Sequence, residues 1–469
     1  MKNKVFTIKS VINLCKKLIG KSNKKTAAKT SDFQANIIAR NDHPVSRQQI
    51  SPNALKVLYR LNKGGYKAYL VGGGVRDILL GLTPKDFDIA TNATPEQIKD
   101  LFRNCRLIGR RFRLAHILFG REIIEVATFR GHHEEDACQK TSKQSEHGML
   151  LRDNIYGSIE DDAERRDFTI NALYYSAIDF TIHDFAGGIA DIEARQIKLI
   201  GDPETRYRED PVRMLRAIRF ATKLNMNISD ETEQPIKTLA PLLENIPAAR
   251  MFEEFNKMFL SGKAVENFHQ LRSYGLFEYF FPATEHALKN NLNPHLKAFI
   301  LLALTNTDKR INNEQRVTPA FLFAALLWYP LQAAIRYIND EQELTPQDAF
   351  FAAYHQVMSE QQRSIAIPKR FQLVIKDIWI LQDRLKFQDA KKVYKTFEHP
   401  KFRAGFDFLL LRSEIEKGEL TELAKWWQDF QNVAPETQKQ MLKQPTKPGP
   451  RRGTRKRRKP RVAKNSADT

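Results

Sequence analysis

Two aspartates separated by one residue, Asp86 and Asp88, constrain this chain more than any other feature. They closely follow a glycine-rich run at 72–77. Because alternate side chains of a β-strand project to the same face, the pattern predicts that both carboxylates face one site while Phe87 and Ile89 enter a core. Carboxylates held that close repel each other unless a cation lies between them, so the pair predicts a cation site.

The same stretch indicates chemistry on a phosphate group. Carboxylate oxygens that leave room for phosphate oxygens are ligands that Mg²⁺ prefers. The glycines at 72–74 have no side chain, so a phosphate can approach their backbone closely. Metal-assisted transfer of a phosphorus group is therefore the first hypothesis. The alternative is that an isolated Asp-x-Asp pattern merely ends a turn, and companion motifs must decide between the two.

Positive charge is concentrated at the two ends of the chain. The 469 residues carry a net charge of +20, of which residues 1–30 contribute nine lysines without an acid. Residues 443–469 contribute eleven Lys or Arg and one Asp, and this tail is predicted to be disordered and to bind RNA backbones. A solubility tail is the alternative. The tail residues expected to contact RNA are Arg451, Arg452, Arg455, Lys456, Arg457, Arg458, Lys459 and Arg461.

The composition also bounds the location of the protein. The sequence contains no run of 18 apolar residues, so no transmembrane segment is predicted. Apolar residues at helical spacing between Val5 and Ile19 would suit a cationic helix in peripheral membrane contact, although a basic arm or a packed helix is favoured. Three distant cysteines exclude a disulfide framework and a zinc site. We therefore expect a reducing compartment and a cytoplasmic protein.

Hydrophobic periodicity divides the chain into an α/β part and a helical part. Strands are predicted at 66–71, 86–91, 114–119 and 122–129, and helices at 75–80 and 95–103. The second helix has a capping signal, because Thr94 is followed by a proline and by a glutamine three residues later. A polar stretch at 132–148 predicts a mobile loop. From about 191 onward the pattern predicts an all-α region.

Two further motifs in the α/β part bear on the carboxylate pair. Glu125 lies between apolar residues of a predicted strand, so it could face the same site from a neighbouring strand. The segment 165–173 predicts a helix on which Asp167 and Asn171 share one face. With the adjoining arginines, including Arg166, these groups could line a triphosphate and a ribose. The alternative is a helix start with ordinary ion pairs.

A third motif, Glu209-Asp210-Pro211-Val212-Arg213, opens a predicted helix. Asp210 is well placed to cap that helix, because the proline follows it. The functional hypothesis is that Asp210 accepts from the exocyclic amine of a base while Arg213 donates to a ring nitrogen. Capping, base reading and a switch between them all remain open for Asp210.

Taken in order, Gly-Gly-x-Val-Arg-Asp, Asp-x-Asp, Arg-Arg-Asp-Phe-Thr-Ile-Asn-Ala and Glu-Asp-x-x-Arg resemble the motifs of one nucleotidyltransferase family. That family contains the bacterial poly(A) polymerases and the CCA-adding tRNA nucleotidyltransferases. The resemblance implies an α+β protein, with a polymerase-β-like nucleotidyltransferase head of mixed sheet and helices before all-α neck, body and tail regions. The implied division is a basic N-terminal extension at 1–50, a catalytic head at 51–190, a neck for base selection and RNA binding at 191–280, a body at 281–442 and a polybasic tail at 443–469.

The resemblance also implies roles for individual residues. Asp86 and Asp88 would be catalytic metal ligands, with Glu125 as a third carboxylate, and Asp167 would belong to the active site. The residues expected to bind the nucleotide are Gly72, Gly73, Arg76, Arg166, Asn171, Glu209, Asp210 and Arg213, of which the last three would select the base. Mg²⁺, with Mn²⁺ as its substitute, and ATP as substrate are the expected ligands.

Other features favour a poly(A) polymerase over a CCA-adding enzyme. Residues 107–117 resemble a basic stretch of the poly(A) polymerases, and the chain is similar to the γ-proteobacterial type over essentially its whole length. A polycationic tail suits an enzyme that extends many unrelated RNAs, because it binds any backbone. The predicted reaction adds AMP from ATP to RNA 3′ ends with release of pyrophosphate. It would promote mRNA processing and decay, with RNA-decay proteins as candidate partners.

Three alternatives remain at this stage. A CCA-adding enzyme would share all four motifs, and an RNA-binding protein that had lost catalysis would be expected to lose the acidic pair. His183-Asp184 would suit a metal-dependent phosphohydrolase, but its apolar, strand-like context favours a structural role. His132-His133 lies in the polar stretch and is interpreted as a solvated pair.

Overall fold

The computed structural model describes residues 34–109, 113–131 and 155–443. The predicted N-terminal helix, the polar stretch at 132–148 with His132-His133, part of the basic stretch at 110–112, and the tail from residue 444 lie outside the described residues. Within them the chain folds as two compact units, of which the first ends at Ala194 and the second begins at Arg195.

A mixed β-sheet organises the first unit. Its eight strands within the described residues are β1 (Asn36–Ile38), β2 (Ala68–Val71), β3 (Asp88–Thr91), β4 (Cys105–Ile108), β5 (Leu114–Phe119), β6 (Glu122–Thr128), β7 (Leu173–Tyr175) and β8 (Ile182–Asp184). They lie in the order β1-β8-β7-β2-β3-β6-β5-β4, and β3 and β6 run parallel while the other pairs are antiparallel. This arrangement confirms the predicted α+β head with its mixed sheet.

Short helices complete the first unit. They are α1 (Pro52–Lys63), α2 (Gly73–Leu79), α3 (Pro95–Leu101), α4 (Ile159–Glu164) and α5 (Gly188–Glu193). The capping signal before α3 is confirmed, because the Thr94 side chain accepts from the backbone of Gln97, whose side chain in turn accepts from the backbone of Thr94. β1 lies before residue 51, so the sheet also includes residues that precede the predicted head.

The strand of the aspartate motif begins two residues later than predicted. β3 starts at Asp88, and Asp86 and Phe87 precede it. The cause is its neighbour, because β2 ends at Val71, the partner of Asp88, and the chain then turns away through the glycine run. Strand alternation therefore does not orient Asp86. Instead, this segment packs against Gly74, where an added Cβ would lie 3.6 Å from the carbonyl oxygen of Asp86.

The prediction of a helix at 165–173 is wrong. α4 ends at Glu164, Phe168 is extended with a φ of −121°, and a single 3-10 turn at Thr169–Asn171 leads directly into β7. Sheet pairing overrides the helical spacing here, because β7 lies between β2 and β8 and buries Tyr174 completely. Asn171 thus lies in this turn, and Asp167 lies in the non-helical segment that precedes it.

One face of the sheet carries the carboxylate motif. Ile159 and Ala163 of α4 pack there in a cluster with Val71, Ala90 and Tyr174. Asp88 lies on the same face, because it is two residues before Ala90, and it remains exposed. The motif therefore lies on the side of the sheet that α4 covers, at a position accessible to solvent.

The second unit is almost entirely helical. Its helices are α6 (Pro203–Glu209), α7 (Val212–Leu224), α8 (Asp230–Glu233), α9 (Ile236–Leu239), α10 (Ala248–Phe259), α11 (Ala264–Ser273), α12 (Pro282–Lys289), α13 (Leu296–Asn312), α14 (Pro319–Leu326), α15 (Trp328–Glu341), α16 (Pro346–Ser364), α17 (Lys369–Arg384), α18 (Ala390–Phe397), α19 (Phe402–Glu416), α20 (Glu419–Asn432) and α21 (Pro435–Lys443). The all-α prediction needs one correction. Gln196–Ile197 and Asn227–Ile228 form a short parallel pair, β9 and β10, joined through backbone hydrogen bonds.

Aromatic packing supplies much of the core of the second unit. The rings of Phe255 and Phe323 lie 4.3 Å apart between centroids, and Phe281 packs against both.

Among the described residues no single helix has the length and apolar composition of a membrane span, while α14 and α15 together, bent by 46°, meet that criterion by length and composition.

Candidate active site

Strand register places Glu125 beside Asp88. The two residues are partners on the parallel strands β6 and β3, and His116 of β5 is the partner of Glu125 on its other side. Partners on neighbouring strands point to the same face, so these side chains form a row across the sheet. Glu125 thus lies next to the aspartate motif, as its position in the sequence predicts.

The surroundings of Asp88 oppose its negative charge. Protein atoms displace much of its hydration, and the neighbouring Glu125 and, more weakly, Asp86 add like-charge repulsion, while Arg166 acts in the opposite direction. The net result raises the pKa of Asp88 to about 6. Asp86 and Asp88 both remain exposed, so a ligand can reach them. The negative charge of Asp88 is therefore only partly compensated by Arg166.

These carboxylates fit a divalent cation only in part. Within the described ranges, no group of three or more His, Cys, Asp or Glu side chains is arranged to hold a metal ion. Mg²⁺, however, characteristically takes one or two carboxylates and completes its shell with water and substrate phosphates. Hard oxygen donors, like-charge repulsion and solvent access are all present here. The donor set thus suits a metal that arrives with a phosphorylated substrate.

A partly buried network fixes Arg166, the guanidinium that acts on Asp88. Arg166 donates through Nε to the hydroxyl of Tyr174 at 2.7 Å and through Nη2 to Oδ2 of Asp162 at 3.0 Å. The Tyr174 hydroxyl donates to the same Asp162 oxygen at 2.7 Å. Burial alone would lower the pKa of Arg166, but Tyr174 and Asp162 outweigh it and raise that pKa. Arg166 is therefore a permanent cation with a fixed position.

Asp167 and Asn171 meet although they do not share a helix. Asn171 Nδ2 donates to Asp167 Oδ1 at 3.1 Å, and the backbone N–H of Phe168 donates to the same oxygen at 2.9 Å. Arg76 Nη1 donates to Asn171 Oδ1 at 2.7 Å, while Asp77 accepts from Nε and Nη2 of that arginine. Arg76 is only 3% exposed, so it supports Asn171 from within the protein.

The first glycine of the run has a backbone that other residues rarely adopt. Gly72 has a φ of 64° and directly precedes α2. A Cβ added there would lie 3.4 Å from Arg166 Nη1, so a side chain would also crowd the buried guanidinium. The glycine run and the fixed arginine thus lie against each other.

In the second unit, Glu209 is paired inside its own motif. Its Oε2 accepts from Arg206 Nη1 at 2.9 Å and from Arg213 Nη1 at 2.8 Å. Arg213 also donates to the carbonyl oxygen of Arg206 at 2.6 Å. These bonds fix the Arg213 guanidinium between α6 and α7.

Asp210 has one contact with its helix and one across the unit. Its Oδ1 accepts from the backbone N–H of Val212 at 3.3 Å, a weak version of the predicted cap. Its Oδ2 accepts from Arg250 Nη2 of α10 at 2.7 Å. Arg250 lies 40 residues away in the sequence, and local spacing gave no signal for it.

Sequence reasoning also missed three partners that lie closer in the sequence. Arg206 and Asp162 are three and four residues from their partners, so their spacing could have been used. Tyr174 was overlooked because its segment was expected to be helical. The structural prediction for Asp184 is confirmed, since its carboxylate accepts from the backbone N–H groups of three residues between 186 and 189.

Three family models match successive parts of the chain. The model described as Poly A polymerase head domain matches residues 68–198. Probable RNA and SrmB- binding site of polymerase A matches residues 225–288, and Polymerase A arginine-rich C-terminus matches residues 342–462.

Comparison with individual proteins decides the family. Poly(A) polymerase I of Salmonella typhimurium is 55% identical over 445 residues, which cover 94% of this chain and 96% of that protein. The chain belongs to the poly(A) polymerase I family. The predicted kinship with the γ-proteobacterial poly(A) polymerases is confirmed, and membership in this family implies a nucleotide substrate and a divalent metal.

CCA-adding enzymes are more distant relatives of this chain. The enzyme of Lactobacillus helveticus is 39% identical over 207 residues, 44% of this chain and 49% of that enzyme. A solved tRNA-processing enzyme complex has a TM-score of 0.53 at 22% identity, covering 82% of this chain and 94% of its own, which establishes the shared fold. The comparisons thus favour the poly(A) polymerase prediction over the CCA-adding alternative.

Proposed function

We propose that this protein adds AMP from ATP to RNA 3′ ends, without a template and with release of pyrophosphate. The observation that carries the proposal is the in-register pair of Asp88 and Glu125, where loss of hydration and then repulsion between the two carboxylates raise the pKa of Asp88 to about 6. A carboxylate pair is costly to keep ionised at an exposed strand end unless a cation binds there. Family membership supplies the reaction class that such a cation would serve.

Asp86, Asp88 and Glu125 are the residues we assign to the metal, with Mg²⁺ as the proposed ion and Mn²⁺ as its substitute. When bound, such ions would lower the pKa of the attacking 3′-hydroxyl and stabilise charge on the leaving pyrophosphate. Asp88 must be deprotonated to serve as a ligand. Its raised pKa means that protons compete with the metal at weakly acidic pH.

The residues around the carboxylates would hold the nucleotide. We assign the phosphates to the Gly72–Gly73 turn and to Arg166, since the guanidinium lies against that turn. The ribose is assigned to Asp167, which Asn171 and the backbone N–H of Phe168 hold in place. These groups position ATP and do not exchange protons in the reaction.

The proposed role of Arg76 is indirect. We expected it near the phosphates, and its buried contacts support an action through Asn171. Asp77 neutralises its guanidinium on the other side. In this proposal Arg76 orients the ribose-binding pair and does not touch ATP itself.

Base selection is assigned to Glu209, Asp210 and Arg213. An adenine offers an exocyclic amine and adjacent ring nitrogens, so a carboxylate acceptor beside a guanidinium donor can read its edge. Glu209 orients Arg213, and Arg250 orients Asp210. In this proposal Asp210 gives up its weak contact with Val212 when it binds the base. Asp210 would thus switch between capping its helix and reading the base.

RNA is the proposed polymeric substrate, with the tail at 443–469 as a sequence-independent binding segment. We also propose a cytoplasmic location and RNA-decay proteins as partners, because RNA 3′ ends and ATP occur together there. For the N-terminal segment a basic arm is preferred to peripheral membrane contact. Sedimentation of the purified chain with anionic lipid vesicles separates the two, since only a membrane-binding helix would pellet with them at physiological salt.

The test is primer extension with each nucleotide separately. The purified protein is incubated with Mg²⁺, a short non-tRNA oligoribonucleotide and ATP, CTP, GTP or UTP, beside a truncated tRNA as a second primer. A long ladder with ATP alone is expected. Addition restricted to C, C and A on the tRNA would support a CCA-adding enzyme instead, and no addition with any nucleotide would support an RNA-binding protein without catalysis.

A further inference from the structure

A polar row on the sheet extends beyond the assigned carboxylates. Asp88, Glu125, His116 and Arg106 are successive register partners on β3, β6, β5 and β4. Neighbouring strands lie about 4.8 Å apart, so each side chain can reach only the next one in the row. Glu125 therefore has two side-chain neighbours along it, Asp88 on one side and His116 on the other.

The contact between His116 and Glu125 is direct. His116 Nε2 lies 3.3 Å from Glu125 Oε2, and the imidazole is 21% exposed while the carboxylate side chain is 42% exposed. The histidine is thus the more buried partner and is fixed by its packing on the sheet. Glu125 is the more mobile partner, because a glutamate has several rotatable bonds and half-open surroundings.

The two neighbours act on Glu125 differently, since Asp88 repels the whole carboxylate whereas His116 holds one of its oxygens on the far side. Asp88 repels its carboxylate, which by itself would favour rotamers that carry Glu125 away from the aspartate motif. The contact between His116 and Glu125 Oε2 limits this rotation. Oε1 is then the oxygen that is available to bind the metal. An anchored carboxylate binds a metal more tightly than a free one, because less side-chain entropy is lost on binding.

We propose that His116 is a positioning residue that holds Glu125 in the orientation needed to share a divalent cation with Asp88. The inference rests on the proposed function, in which Glu125 is a metal ligand. Side chains that orient metal ligands from behind typically change metal affinity by about 10- to 100-fold when removed. His116 would act through Glu125 and would touch neither ATP nor RNA.

A purely structural role for His116 predicts a different outcome. Cross-strand pairs stabilise sheets, so a merely structural histidine would change the unfolding temperature and leave metal affinity unchanged. The two roles are separable because metal binding can be measured without substrate. Mn²⁺ is the probe, since its free and bound forms differ in electron paramagnetic resonance.

The experiment titrates Mn²⁺ into the full chain and its variants without RNA or ATP. His116→Ala is expected to weaken Mn²⁺ binding about 10-fold, and His116→Gln, which can place an N–H near the same position, is expected to restore most of it. Glu125→Gln should weaken binding at least as much. The control is His286→Ala, a change at an exposed histidine of the second unit, which should leave Mn²⁺ binding unchanged.

The double variant tests whether His116 acts through Glu125. His116→Ala combined with Glu125→Gln should bind Mn²⁺ as weakly as Glu125→Gln alone, because the histidine then has no ligand to position. Independent, multiplicative losses would overturn the inference, as would normal binding by His116→Ala when Glu125→Gln is impaired. Normal binding by Glu125→Gln would overturn the assignment of Glu125 itself, and the inference with it.

Discussion

The carboxylates of the two units lie in opposite electrostatic surroundings. In the first unit Asp88 lies beside Glu125 and close to Asp86, and its partial loss of hydration together with these like charges raises its pKa to about 6. Arg166 reduces this effect without abolishing it, because Tyr174 and Asp162 also draw on its charge.

In the second unit each motif carboxylate already has an arginine. Glu209 accepts from Arg206 and Arg213, and Asp210 accepts from Arg250, all at 2.7–2.9 Å. These side chains are partly buried and their contacts span two or three helices. Their geometry is therefore set before any ligand arrives.

The two groups of acids are therefore suited to different uses. A carboxylate pair whose charge the protein compensates only in part gains most from a metal, so the first unit is suited to chemistry. Carboxylates with built-in partners gain little from a further cation but present oriented donors and acceptors, so the second unit is suited to recognition. Substitutions in the two units should therefore have effects of different size and kind.

The largest effect is expected at the aspartate motif. Asp88→Asn or Asp86→Asn should lower kcat/KM by about 1,000-fold or more, because a metal ligand contributes several kcal/mol and each 1.36 kcal/mol changes the rate tenfold. Primer extension with ATP measures this. Asp100→Asn, at an exposed position of α3, is the matched control. Near-normal activity of either variant with an intact circular dichroism spectrum would refute the metal assignment.

The second largest effect is expected from removal of the basic tail, which belongs to neither group of carboxylates. Deletion of residues 443–469 takes away eleven Lys or Arg and should weaken RNA binding by about 100-fold at low salt. Since each phosphate contact on single strands contributes about 0.7 to the slope of log affinity against log salt, the slope should become several units shallower. The KM for ATP should not change. Equal RNA affinity at every salt concentration would exclude the tail as an RNA-binding segment.

Loss of the partner of Asp210 should have a smaller effect, limited to selectivity. Arg250→Ala should reduce the preference for ATP over other nucleotides by about 10-fold, since a misoriented acceptor costs roughly one hydrogen bond to a charged group. The ratio of kcat/KM for ATP and GTP is the measurement. Arg208→Ala breaks an exposed ion pair with Glu204 in the same unit and should leave that ratio unchanged. A uniform loss with all nucleotides would assign Arg250 to folding.

The smallest effect concerns stability without metal. Because the folded-state pKa of Asp88 is raised, ionisation of this group disfavours folding, and the penalty grows as pH rises from about 4 through 6. Metal-free Asp88→Asn should therefore unfold at a higher temperature than the unchanged protein at pH 7.5, and the gain should vanish near pH 4. Asp100→Asn should show no such pH dependence. If Asp88→Asn and the unchanged protein unfold at the same temperature at each pH, ionisation of Asp88 does not destabilise the fold.

Local patterns in the sequence predicted much of the first unit. The strands at 114–119 and 122–129, the capping box at Thr94 and the position of Glu125 beside the motif all depend on neighbouring residues or on simple alternation. Such signals survive folding because nothing distant competes with them. The start of helix α7 after Asp210 was predictable for the same reason.

Distant contacts account for what the sequence did not reveal. Tyr174 belongs to a strand because β2 and β8 pair on either side of it, and helical spacing could not indicate that. Arg250 and His116 contact their carboxylates across 40 and 9 residues, so only the folded chain identifies them. Asp86 lies outside β3 because β2 ends opposite Asp88.

Asp88 and its neighbours form a carboxylate cluster whose charge the protein compensates only in part, so the cluster is completed by a bound metal. The most direct test is the pKa of Asp88, followed by ¹³C NMR of its carboxyl carbon and assigned with the Asp88→Asn variant. We predict a pKa of about 6 without metal and a clear fall when Mg²⁺ and ATP are added. A pKa near the ordinary value for aspartate, unaffected by Mg²⁺ and ATP, would contradict the account.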